Sequence, residues 1–143
     1  MNSNNNVDIN VFLYAVYGVE SSFGKNININ KEDKFTSLGP LQITRILVDD
    51  VNRILTLKKS NIYYSYNDRL DLNKSNNIAL VYLNYYVNIY NIPYTYVNLS
   101  RIWNGGPKAY LIQNNKQKEN NLQLYTSKIM DIINENINNI KLL

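Results

Sequence analysis

Two residue types that carry much of enzyme chemistry are missing from this chain: it has no cysteine and no histidine. Without cysteine the fold needs no disulfide and no oxidising compartment to form one. Without histidine the usual triad base, the commonest metal ligand and the usual neutral-pH proton shuttle are gone. No dense carboxylate cluster replaces them, so a metal or other cofactor is not expected. Catalysis, if any, must rest on carboxylates, Tyr, Lys or Ser. Glycine and proline are scarce, at five and three residues, so the few Gly and Pro positions are informative as turns. Long apolar runs are also lacking. Val11 to Val16 is short and leads straight into Gly18 and Glu20, and Ile78 to Val87 is broken by Asn84. Neither reads as a membrane span, and the Asn-rich start lacks the basic region of a signal peptide.

What is present fits one globular domain of 143 residues with 45% hydrophobic residues and a net charge of +4. That balance favours anionic partners, but no Lys/Arg run is dense enough for a nucleic-acid stripe. Residues 1–6 are low-complexity and expected to fray.

Helical spacing of Val11, Phe12, Ala15, Val16 and Val19 predicts a first helix from Ile9 to Ser22, capped by Asp8 and stopped by Gly24. The alternation over Asn26 to Asn30 suggests a short strand. Thr44 should cap a second helix reaching Leu57, with Ile46, Leu47, Val51, Ile54 and Leu55 on one side. After a Tyr-rich connection, a long helix is expected over Lys74 to Tyr90, then a short one over Asn98 to Trp103. Another should begin near Lys108, break around Asn114 to Asn121, and give way to a last helix from Leu122 to Ile137. Tyr82, Tyr85, Tyr86 and Tyr90 read as a packing stripe. The fold class is α+β, mainly α-helical, with a small irregular or β segment after the first helix.

Four separated pieces carry candidate chemistry. Glu20 falls in the last turns of an apolar helix, where the negative dipole end and apolar neighbours favour the protonated form that a general acid needs. The plain alternative is a solvated surface Glu. Gly39-Pro40-Leu41-Gln42-Ile43 places an amide after a turn, able to bond sugar hydroxyls, or serves only as the loop into the next helix. Trp103-Asn104-Gly105-Gly106 joins the sole Trp, an amide and an approachable backbone, unless that Trp belongs to the core. Tyr125 stands near the start of the final helix and is one of thirteen tyrosines.

In order and separation these pieces resemble the soluble lytic transglycosylase (SLT) domains and goose-type lysozymes of the lysozyme-like superfamily, over about Val11 to Ile132. The chain looks most like the compact SLT-like domains of phage and large-virus genomes, in Val48-Asp49-Asp50-Val51-Asn52-Arg53 and above all in Arg101-Ile102-Trp103-Asn104-Gly105-Gly106-Pro107. The resemblance implies a lysozyme-like fold that cuts the β-1,4 bond between N-acetylmuramic acid and N-acetylglucosamine. Glu20 would then be the acid, Ser21 and Gln42 would hold the carboxyl and substrate, Trp103, Asn104 and Gly105 would contribute to the cleft, and Tyr125 would orient Glu20. Two departures stand out: Pro40 replaces a small or aliphatic residue, and Thr44 follows Gln42-Ile43 where goose-type lysozymes often carry Asp. A transglycosylase needs one carboxylate. An inverting hydrolase needs a second, and Asp33 in the loop between Glu20 and Gln42 is that candidate, against a plain charged loop tip at Lys31-Glu32-Asp33-Lys34. Asp49 and Asp50 are expected in the first turn of their helix, and Arg69 is expected to pair with Asp68 or Asp71.

The expected partner is the glycan strand of peptidoglycan, reached by a monomer without membrane insertion or nucleic-acid binding. The protein would be made in the cytoplasm and act on the wall after release, or travel with a virion. A glycan-binding or structural virion component that has lost turnover is the alternative of another class.

Overall fold

The computed structural model describes residues 6–27, 36–109 and 115–141. Among them the chain is mainly helical: α1 (Ile9–Ser21), α2 (Arg45–Leu57), α3 (Leu72–Ile89), α4 (Tyr96–Gly105) and α5 (Lys116–Lys141), with a 3-10 helix at Tyr66–Leu70. β structure among the described residues is a single antiparallel bridge, Leu38 to Ile43. Asn26 closes a turn after α1 and Ile27 is in no strand, while residues 28–30 of the suggested strand lie outside the described residues. The molecule divides into two compact units, residues 17–85 and residues 1–16 with 86–143, and the divisions fall inside α1 and α3.

In the unit of residues 17–85, α2 begins where expected. Thr44 is extended at φ −87°, and its hydroxyl accepts from the Leu47 amide at 3.2 Å, satisfying one of the orphan donors of the first turn. The buried side of α2 is Val48, Val51, Asn52, Ile54 and Leu55. Ile46 is instead 47% exposed: two residues before Val48 is about 200° around the helix, on the far side. Asp49 and Asp50 lie beyond the first turn, so the dipole does not explain them. Asp49 accepts the Tyr66 hydroxyl at 2.7 Å, and Asp50 pairs with Arg53 at 2.8 Å.

The Tyr-rich connection is tied down by polar side chains that substitute for backbone. The buried Asn52 amide donates to the Tyr64 carbonyl and accepts from the Tyr64 amide, both at 2.9 Å, as a strand neighbour would. Arg69 is 1% exposed. Its guanidinium donates to the carbonyls of Tyr66 at 2.7 Å and Ile43 at 3.2 Å, with a longer contact to Thr36 at 3.5 Å. It thus ties the connection to the body, as expected, but does so through carbonyls; Asp68 takes Lys74 at 3.2 Å. Asp71 accepts from the Lys74 amide at 2.9 Å, which starts α3 at Leu72 rather than Lys74.

In the other unit, Asp8 caps α1 through the Asn10 and Val11 amides at 3.0 and 3.3 Å. Thr95 caps α4 through Asn98 at 3.1 Å, setting its start two residues before Asn98. α4 packs against α5, and Leu99, Ile102, Leu122, Ile129 and Ile133 are buried to 2% exposure or less. α5 does not wait for Leu122. Asn115 caps its start through the Lys118 amide at 3.1 Å, and Asn120 and Asn121, which looked like breakers, are carried as exposed positions. The helix expected at Lys108 is only a turn through residue 109, and its continuation lies outside the described residues. No helix among the described residues is long and apolar enough to cross a membrane.

Candidate functional site

The candidate acid lies at the end of α1. Glu20 is half-buried on the last turn, one residue before the helix stops. The stop is built by three consecutive left-handed residues: Ser22 at φ 52°, Phe23 at 58° and Gly24 at 86°. Left-handed backbone costs an L-residue about 1–2 kcal/mol, so two non-glycine residues here need local compensation. The Phe23 amide reaches back to the Tyr17 carbonyl at 3.3 Å and the Asn26 amide to the Ser21 carbonyl at 2.9 Å, filling acceptors that the helix end leaves open. The Phe23 ring stands edge-on to Tyr17 at 5.5 Å. At Gly24 a β-carbon would come within 2.8 Å only of the Tyr17 hydroxyl, the movable end of a side chain, so it is φ that sets the stop residue.

Ser21, expected to hold the carboxyl and substrate, serves this stop. It is 1% exposed; its hydroxyl donates to the Tyr17 carbonyl at 3.2 Å and accepts from the Gly24 amide at 3.0 Å. Its role is to frame the last turn of α1.

Gln42 belongs to the same unit. Leu38 and Ile43 exchange amide–carbonyl bonds of 3.0 and 2.9 Å, closing a tight loop over Gly39 to Gln42. Both ends of the loop are left-handed, Gly39 at φ 82° and Gln42 at φ 53°. The Gln42 side chain folds inward, its Nε2 donating to the Gly39 carbonyl at 2.8 Å beside the Gln42 amide at 3.1 Å. One of its donors is therefore committed to the loop. Gly39 itself lies on the backbone of Arg69, where a β-carbon would overlap the carbonyl oxygen. Glu32 and Asp33 lie outside the described residues.

The other expected residues fall in the unit of residues 1–16 and 86–143. Trp103 is half-buried and Asn104 exposed on the last turn of α4, which Gly106 closes at φ 96° with its amide on the Ile102 carbonyl at 3.0 Å. Gly105 is held against α5: a β-carbon there would meet Leu122 at 2.6 Å and Ala109 at 2.7 Å. Tyr125 is 9% exposed on α5.

Arg101 was legible only as part of a motif, yet it organises this end of the unit. Its Nε donates to the Ala109 carbonyl at 3.0 Å, and its two terminal nitrogens grip both Glu119 oxygens at 2.9 and 2.6 Å. The guanidinium holds the Glu119 carboxyl below its ordinary range, and the carboxylate raises Arg101 further. Arg101 thereby fastens the glycine turn to the first turn of α5. Tyr86 and Tyr90, expected only as packing, stack at 6.1 Å and line a cavity of about 390 Å³ beside that turn. Among the described residues no cluster of three acidic side chains suited to hold a metal occurs.

Comparison of the chain with protein-family models, with curated proteins and with solved structures finds no match.

Proposed function

We propose that this protein is a peptidoglycan-cleaving enzyme with a lysozyme-like fold, and that Glu20 is its general acid. The observation that carries the reading is the placement of Glu20. It is a half-buried residue on the final turn of a helix, at the negative end of the dipole, on a segment locked by Ser21 and three left-handed residues. A carboxyl on a rigid element is what proton delivery to a fixed bond requires. The order of motifs that resembles the SLT domains supplies the substrate: the β-1,4 bond between N-acetylmuramic acid and N-acetylglucosamine.

In the proposed step, protonated Glu20 gives its proton to the glycosidic oxygen as the bond from that oxygen to the anomeric carbon breaks. The C6 hydroxyl of the muramic acid then bonds to the anomeric carbon and returns its proton to Glu20, leaving a 1,6-anhydro end. Hydrolysis would instead add water to that carbon, and Asp33 is the residue to hold it. No cofactor is required by either route.

The test is mass spectrometry of soluble fragments released from purified peptidoglycan, with Glu20→Gln as the control. Wild-type protein should release fragments one water lighter than reducing muropeptides. Glu20→Gln should cut release by about 100-fold or more with an unchanged circular dichroism spectrum. Ordinary reducing ends would make the enzyme a hydrolase and Asp33→Asn the next variant. A fully active Glu20→Gln overturns the site, and binding of glycan without any release makes the protein a carbohydrate-binding component.

A further inference from the structure

The cavity beside the glycine turn carries a second inference, independent of Glu20. It is lined by Tyr86 near the end of α3, Tyr90 just beyond that helix, Gly105, Gly106, Lys108 and Lys118, all in one unit. We propose that it binds an acidic monosaccharide unit, a pyranose ring carrying a carboxylate or a phosphate.

Three features select that chemistry. Tyr90, half-buried and stacked on the buried Tyr86 at 6.1 Å and 15° from parallel, contributes aromatic surface of the kind that accepts the apolar face of a sugar ring. Beside that aromatic surface, backbone without side chains allows close approach: at Gly106, with φ 96°, a β-carbon would meet nothing within 4 Å. The charge is positive and is not cancelled locally. Glu119 is the acid in the first turn of α5, and Arg101 already grips both its oxygens. Among the described residues neither Lys108 nor Lys118 is in an ion pair, and both are exposed. Lys118 also stands in the first turn of α5, where the helix dipole favours an anion. A cavity of about 390 Å³ is at the small end of ligand sites, suited to one substituted ring. A neutral sugar would leave both ammonium groups unused, and an aliphatic anion would leave the tyrosines unused.

The experiment is an amide chemical-shift titration of the full chain with glucuronic acid, glucose 6-phosphate, glucose and acetate. Both acidic sugars should shift Gly105, Gly106 and Lys108 with dissociation constants on the order of millimolar. Glucose and acetate should bind at least about threefold more weakly. Lys108→Gln and Lys118→Gln should each weaken the acidic sugars by about threefold and leave glucose unchanged, and added salt should do the same. Tyr90→Leu should weaken glucose and the acidic sugars alike. The preferred acidic sugar tells whether a carboxylated or a phosphorylated polymer is the source. Equal binding of glucose and the acidic sugars overturns the proposal, as does an unchanged affinity in the double lysine variant. So does an absence of shifts at about 10 mM ligand. Because both lysines are exposed, their removal leaves the fold intact and the result interpretable.

Discussion

Replacing Gly39 by alanine should be among the most damaging single-methyl changes in the protein, and the structure gives the size of the effect. Two costs add. The first is conformational: at φ 82° an alanine costs about 1–2 kcal/mol relative to its preferred backbone. The second is steric. The new methyl would overlap the Arg69 carbonyl oxygen and lie 2.8 Å from its carbonyl carbon, and a backbone carbonyl cannot swing aside as a side chain can. Moving it strains what Arg69 holds, namely the Ser75 hydroxyl on its carbonyl and the Tyr66 and Ile43 carbonyls on its guanidinium. Losing two such buried bonds costs about 2 kcal/mol, for a total of about 3–4 kcal/mol. A domain of this size loses about 3 °C of melting temperature per kcal/mol, so Gly39→Ala should melt about 10 °C lower. Gly106→Ala is a comparison without the steric part. At φ 96° and ψ 172° it holds a backbone conformation essentially confined to glycine, at a cost of about 1–3 kcal/mol to alanine, but its methyl meets nothing within 4 Å, so a fall of about 3–9 °C is expected. Thermal melts followed by circular dichroism measure both variants against the wild type. If Gly39→Ala melts no more than about 6 °C below the wild type, which its backbone cost alone accounts for, the contact between Gly39 and Arg69 does not constrain the loop, and the account of how Gln42 is positioned fails with it.

Two further outcomes follow from polar contacts. Thr44→Ala should destabilise by about 1 kcal/mol, while Thr44→Ser should retain most of the cap on the Leu47 amide; urea midpoints distinguish them. Glu119, held low by Arg101 first and by Gln123 as well, should titrate below the ordinary Glu value of about 4.3. A carboxylate depressed on folding contributes stability that is fully present above its unfolded pKa and is lost as pH falls through its folded pKa. The wild-type protein should therefore lose stability below about pH 4.3 in a step that Arg101→Met removes. A Glu119 carbonyl signal titrating at the same pH in wild type and Arg101→Met would refute the pairing.

The helix starts that were legible in the sequence are those whose signal is local. Asp8 and Thr44 sit within three residues of the amides they cap, and Gly24 adopts the left-handed conformation that a stop glycine allows. Where the partner is distant the sequence was silent. Asn52 reads as one more polar residue of an amphipathic helix until Tyr64 arrives twelve positions later to use both ends of its amide. Arg101 and Glu119 lie eighteen positions apart, in segments that spacing rules treat separately. α5 starts six residues earlier than its apolar pattern, because a cap at Asn115, a charge-assisted pair at Glu119 and good helix formers at 116–119 carry the helix through Asn120 and Asn121. Ile46 was misplaced for another reason: in a short helix several apolar phases compete, and burial of Val48 and Asn52 decided among them.

The same distinction bears on the candidate site. A motif reading treats Glu20, Ser21 and Gln42 as one set of functional side chains, but the structure divides their labour. Ser21 spends its donor and its acceptor on the end of α1, and Gln42 spends an amide donor on the carbonyl of Gly39. Residues of this kind would persist beside an active carboxyl without touching substrate, because the positions of the last helical turn and of the loop depend on them. Ser21→Ala should therefore lower stability and activity together, whereas Glu20→Gln should lower activity alone. That pairing distinguishes a framing serine from a substrate-binding one: a Ser21→Ala protein with an unchanged melting temperature and a raised KM would return Ser21 to the substrate.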